Sequence, residues 1–302
     1  MNKQELTNLV AEILSSMNHG EPMVKGSDYK TLVISPDREA NSIGQDQAED
    51  VTAMNLRKLY LTENPENPEK FLRMKQKTPA RLGSGKAGAR YKTVTMLRFR
   101  ADHAAAQDAV FSQVPEEFAR KQGMIPLQTR CEDKDMYLTR PDLGRIFDEK
   151  NQQILKERVP KNVTVQIVVG DGLSSAAVME NAPECLAAIR DGLKLRGIET
   201  GPDLFVRYCR VGAGDAIGEI THCDLVCMLV GERPGLVTDK SMSAYLTYMP
   251  RKGVSESSRT VVSNIHAQGT PAAEAGAYIA ELMEKILKNK VSGVGLHTRE
   301  GA

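Results

Sequence analysis

Nowhere in the 302 residues does an apolar run reach the roughly 18 residues a membrane-crossing helix needs, so no such helix is expected. The opening residues Met1–Met17 mix charged and apolar side chains throughout, unlike a secretory signal. Charge of one sign is missing too: 40 Lys and Arg against 39 Asp and Glu leave a net +1. Binding nucleic acid through a broad basic face needs many clustered cations, so that class is set aside. Cysteine is sparse. Cys131, Cys185, Cys209, Cys223 and Cys227 are odd in number and contain no CxxC pair, which fits reduced thiols in a cytosol rather than a disulfide frame. Cys223 and Cys227 are expected to share one face of a strand. Core packing suits them better than metal binding, since only His222 is near as a further ligand.

The sharper catalytic signatures are also missing. GDGLSS (170–175) lacks the third glycine of GxGxxG, and GAGDAIG (212–218) has the wrong spacing. GSGKAG (83–88) resembles a phosphate loop, but Ala80 stands where its first glycine belongs and Ala87 where Ser or Thr belongs. GxSxG and HExxH do not occur, and His103 and His266 are isolated. With no nucleophile–base pair in view, no catalytic residue and no metal ligand is expected on this chain. It reads as a ligand-binding partner rather than a complete catalyst.

What is present is ordinary for a globular protein: 41% apolar and 26% charged residues, and a length that fits two domains. Residues 1–18 place Leu6, Leu9, Val10, Ile13, Leu14 and Met17 at helical spacing, predicting an amphipathic helix with a docking face. Residues 19–52 are polar and predict a flexible linker. From 53 to 160 the pattern is helical and loop-rich. Its clearest helices are 95–114 and 141–159, the second with Thr139 as cap and Pro141 near its start. From 161 to 302 strands alternate with helices. VTVQIVV (163–169), LFVRYCRV (204–211), DLVCMLV (224–230), MSAYLTYM (242–249) and RTVVSNI (259–265) are the strand candidates, and Thr270–Pro271 opens a long final helix. The expected fold is α/β: a doubly wound, mostly parallel, Rossmann-like sheet preceded by an N-terminal helical region.

In such sheets ligands bind beyond the carboxyl ends of the strands. GDGLSS, VGAGDA (211–216), GERPGL (231–236) and SNIHAQGTP (263–271) all fall there, and each carries glycine or small polar residues that let a backbone approach a ligand. GERPGL stands out because a buried strand ends by presenting Glu232 and Arg233 on a turn stiffened by Pro234.

Several stretches in series carry a resemblance. KTVTMLRFRADHAAAQDAV, QVPEEF (113–118), DMYLTRPDLGR (135–145), VVGDGLSS (168–175), LFVRYCRV, IGEI (217–220), LVGERPGL (229–236) and SNIHAQGTPAAEA (263–275) together resemble the small, or light, subunit of ethanolamine ammonia-lyase, from about Thr78 to Gly293. The resemblance implies an adenosylcobalamin-dependent lyase that converts ethanolamine to acetaldehyde and ammonia by a radical route. A separate large subunit with a TIM barrel would carry the reacting groups, and this chain, inactive alone, would close the cofactor cleft in a hetero-oligomer. It also implies three cofactor contacts: Glu232, whose carboxylate would meet the amide rim of the corrin, and Val211 and Val261, which would act through backbone or apolar contact. DxHxxG, which marks a histidine lower ligand, is absent, so the cofactor would keep its own base on cobalt. The family's likeness to bacterial microcompartment cargo makes residues 1–18 resemble a packaging peptide for the shell, in the bacterial cytoplasm. Two rivals stay open: a nucleotide-dependent oxidoreductase and a non-catalytic scaffold.

Overall fold

The protein is described from a computed structural model over residues 50–296, apart from Arg57. The expected helix at 1–18 and nearly all of the linker at 19–52 lie outside the described residues. Among those described, one compact unit holds Asp50 and Asn55–Lys92, and the other holds Val51–Met54 and the chain from Thr93 onward. The main division between the units falls after Lys92.

The first unit contains helix α1 (Pro68–Gln76) and a short hairpin, β1 (Lys86–Ala87) with β2 (Arg90–Tyr91). Asn67 caps α1 by accepting from the Lys70 N–H at 3.0 Å, and a proline follows in its first turn. Phe71 meets Tyr60 edge to face, with ring centroids 4.9 Å apart. GSGKAG leads into the hairpin, with Lys86 and Ala87 in β1 and the strand β2, rather than a helix, directly after them.

The second unit is a three-layer α/β domain. Its helices are α2 (Thr93–Phe111), α3 (Glu116–Lys121), α4 (Lys134–Thr139), α5 (Glu149–Arg158), α6 (Ser175–Leu195), α7 (Ala213–Thr221) and α8 (Ala272–Asn289). Its strands are β3 (Ile125–Gln128), β4 (Val165–Gly170), β5 (Leu204–Arg207), β6 (Leu225–Gly231), β7 (Met242–Tyr248) and β8 (Arg259–Ile265), in the order β3-β5-β4-β6-β7-β8. The first four in that order run parallel, and β7 and β8 are added antiparallel. This is the expected α/β class. Beyond the expectation, the segment 53–160 supplies an edge strand, β3, whose Pro126 sits where a missing N–H is tolerated.

β4 and β6 are buried along their whole length, as a two-sided core requires. Val165, Ile167, Val169, Leu225, Cys227 and Leu229 pack under α6 and α8. Val168, Leu204, Val206, Val226, Met228 and Val230 pack under α5 and α7 on the other face. Cys227 belongs to the first face and Cys223 to the second, so the two cysteines do not share a face. The reason is local: His222 takes a left-handed backbone (φ 56°) to end α7, and β6 begins only at Leu225.

The expected helix at 141–159 starts later. Pro141 and Asp142 lead into a 3-10 turn (Leu143–Arg145), and α5 begins at Glu149, capped by Asp148. The turn is pinned to the sheet edge by the Arg210 N–H, which donates to the Gly144 carbonyl at 2.9 Å.

Candidate functional site

β4 sends its chain to α6 on one face, while its neighbour β5 sends its chain to α7 on the other. Loops that leave neighbouring strands for opposite faces can leave a crevice between them. Here it is filled. Tyr137 and Tyr208 pack with Cys131 and Leu173. The Arg210 guanidinium lies 4.2 Å from the Tyr137 ring centroid and donates to the Tyr137 carbonyl at 2.9 Å. The Tyr137 hydroxyl donates to the Cys209 carbonyl at 3.0 Å. Buried Lys134 donates to the carbonyls of Ser112 and Gly172 at 3.3 and 3.2 Å, and burial lowers its pKa. Asp171, whose pKa burial raises, accepts from the Ser175 hydroxyl at 2.6 Å and the Val114 N–H at 3.0 Å. This network holds Tyr208 in the left-handed region (φ 54°), which a bulky residue occupies only when its surroundings impose it. A dinucleotide would have to displace these side chains.

The open chemistry lies one strand over, after β6. Gly231 still pairs with Met242, and its carbonyl accepts from the Leu173 N–H at 3.1 Å. A β-carbon there would collide with the Ser174 carbonyl, so the GDGLSS and GERPGL loops touch at backbone distance only because residue 231 is glycine. The Glu232 N–H donates to the Ser241 carbonyl at 2.9 Å. Its half-buried carboxylate accepts from the Tyr245 hydroxyl through Oε1 at 2.5 Å, and Oε2 has no hydrogen-bond partner among the described residues. Tyr245 has its pKa raised, first by burial and then by its hydrogen bond to the Glu232 carboxylate and that group's charge. Arg233 is exposed and makes no ion pair with Glu232.

Val261 sits on β8 directly opposite Tyr245, so the two side chains leave the same face, and Val261 is 47% exposed. Glu232 and Val261 therefore meet at one tyrosine, the first by hydrogen bond and the second by cross-strand pairing. Val211 is attached less directly. It stands in the turn before α7, its carbonyl accepting from the Gly214 N–H at 3.1 Å. Farther along α7, Asp215 forms a two-pronged ion pair with Arg259 at 2.9 and 2.7 Å, and Arg259 precedes Val261 on the same face of β8. Burial works to lower the Arg259 pKa, but its bonds to Asp215 and Glu256 outweigh that and raise it. Within β8 one extra residue lies between the Val262 and Ile265 pairs, a bulge that takes Asn264 to φ 59°. Beside it on β7 the buried Ser243 hydroxyl has no partner among the described residues.

A groove of about 930 Å³ also runs beside α7, lined among others by Arg145, Lys156, Gly212, Asp215, His222 and Arg259. It includes neither Glu232 nor Val261. Among the described residues no cluster of His, Cys, Asp and Glu could hold a metal ion, and no helix is long and apolar enough to cross a membrane. Sequence reasoning missed Tyr245, Ser243 and the Asp215–Arg259 pair. Tyr245 lay inside a recognised strand, but nothing in a linear pattern says which loop a strand tyrosine will reach.

Residues 68–297 match the family model described as ethanolamine ammonia-lyase light chain (EutC). The chain belongs to that family. Among its relatives, the ethanolamine ammonia-lyase small subunit of Clostridium perfringens is 52% identical over 297 residues, covering 98% of this chain and 100% of that protein. The small subunit of Listeria monocytogenes is 49% identical over 296 residues and that of Clostridioides difficile 50% over 300, each covering 98% of this chain and all of the relative. The family resemblance drawn from LTRPDLGR, GDGLS, VGERPGL and SNIHAQGTP is thereby established.

Proposed function

We propose that this chain is the small subunit of an adenosylcobalamin-dependent ethanolamine ammonia-lyase and supplies one wall of the cofactor cleft, with a large subunit supplying the other. The observation that carries the reading is near-full-length identity of about half to proteins named as that subunit. The local chemistry fits the group. A corrin offers an amide-bearing rim and broad apolar surface. Glu232 brings a carboxylate with one oxygen unengaged among the described residues, and Val261 brings exposed apolar surface beside it. An ionised carboxylate accepts strong hydrogen bonds from amide N–H donors. Val211, at the mouth of α7, would contribute backbone or apolar contact.

When bound, adenosylcobalamin would supply the radical chemistry of the reaction. The work of this chain is to bind, orient and exclude. Glu232 would fix the rim, Val211 and Val261 would cover it, and together they would keep water from the reacting side. In the assembled complex, Glu232→Ala should weaken cobalamin retention about ten-fold, the scale of one charge-assisted hydrogen bond, while folding changes little. Visible absorbance after gel filtration of co-expressed subunits measures this, and retention equal to wild type would remove Glu232 from the site. We further propose that residues 1–18 direct the protein to a bacterial microcompartment shell. A fluorescent protein carrying those residues should form discrete foci in cells making the shell, and a diffuse signal would count against that role.

A further inference from the structure

A carboxylate that must meet a donor at a fixed place gains from being held before the ligand arrives, because ordering is then completed on folding rather than on binding. Glu232 is held in this way from two sides. Its backbone is tied by its own N–H to Ser241 and, one residue earlier, by Leu173 to the Gly231 carbonyl. Its side chain is tied by Tyr245 alone among the described residues. Tyr245 is well suited to the task. It lies mid-strand in β7, between Met228 on one side and Val261 on the other, and its ring packs against the core beneath α7. An ionised carboxylate can only accept, so the shared proton comes from the phenol.

We propose that Tyr245 is a positioning residue for Glu232: its hydroxyl fixes the carboxylate through Oε1 and so presents Oε2 to the amide donors of a corrin rim. This rests on the reading of Glu232 as a cofactor contact. Tyr245 acts through Glu232, so removing its hydroxyl matters only while the carboxylate is there.

The test is a double-mutant cycle in the assembled two-subunit complex, reading the dissociation constant of adenosylcobalamin by equilibrium dialysis. Tyr245→Phe keeps the ring and removes the hydroxyl. It should weaken binding about five-fold, the factor of a hydrogen bond of ordinary net strength. Glu232→Ala should weaken binding at least as much, and the double variant should be no weaker than Glu232→Ala. Glu232→Gln, which keeps an acceptor for the phenol, should lose less than Glu232→Ala. If Tyr245→Phe costs its full factor in the Glu232→Ala background as well, the tyrosine acts on its own and the proposal is overturned. If Glu232→Ala weakens binding and Tyr245→Phe does not, the proposal falls and the role of Glu232 stands. If neither changes affinity, the reading of Glu232 itself falls.

Discussion

Gly231 and Gly235 frame the same short turn, yet they do different work. Both were expected to leave room for a ligand. A β-carbon on Gly231 would strike the Ser174 carbonyl, whereas one on Gly235 would find its nearest neighbour, the Thr238 carbonyl, at 4.0 Å. Gly231→Ala should therefore cost about 2 kcal/mol and lower Tm by several degrees, while Gly235→Ala should stay within about 0.5 kcal/mol. Thermal denaturation of the two variants beside wild type checks this, and equal midpoints would show that the two loops are not in backbone contact. Glu232 itself was legible from its place at the end of a buried apolar run. Its partner was not, because Tyr245 lies 13 residues away and reaches it only through the pairing of β6 with β7.

The helix before β4 shows how a local signal can be outweighed. Thr139, Pro141 and Asp142 form a sound start pattern, but the chain there is drawn into a 3-10 turn under Arg210, and α5 waits for Asp148. The Asp148 carboxylate accepts from the Asn151 N–H at 2.8 Å, and that backbone bond, with the Asn151 side chain, lowers its pKa. Asp148→Ala should cost about 1 kcal/mol at neutral pH, and Thr139→Ala under about 0.5 kcal/mol. The sign follows from the lowered pKa: the cap's contribution is present above the ordinary aspartate value of 3.8 and is lost as pH falls through the lower folded value. Urea titrations at neutral and acid pH should show the Asp148→Ala difference shrinking on acidification. A difference independent of pH would mean that the charged cap is not what stabilises α5.

All five cysteines are buried and free, and burial raises each thiol pKa: to about 11 for Cys223 and about 12 for Cys185, against an ordinary 9.0. A raised folded value means stability that is complete below pH 9 and is lost as pH climbs toward 11 and beyond, because the unfolded chain releases its protons first. Tyr137 and Tyr245 act in the same direction. Lys75 and Lys134, lowered by burial, act against it, but they are outnumbered. Tm should therefore fall steadily above pH 9. A thiol reagent at pH 8 should find no reactive cysteine in the folded protein and all five after denaturation. Rapid labelling of the native protein would contradict the burial. The same density of buried groups explains why the crevice between β4 and β5 is not a nucleotide site: Tyr137, Lys134 and Arg210 occupy it.

The α/β class, five of the sheet's strands and the acid at the end of β6 could be read from the chain, because burial on both faces imposes long β-branched runs and glycine marks their ends. The resemblance to the light-chain family was likewise carried by motifs in fixed order. The role of β3 as an edge strand, the separation of Cys223 from Cys227, the filled crevice between β4 and β5 and the hold of Tyr245 on Glu232 were decided only by the fold. Each depends on which distant segments become neighbours, and side-chain periodicity reports the environment of a residue but not the identity of what lies across from it.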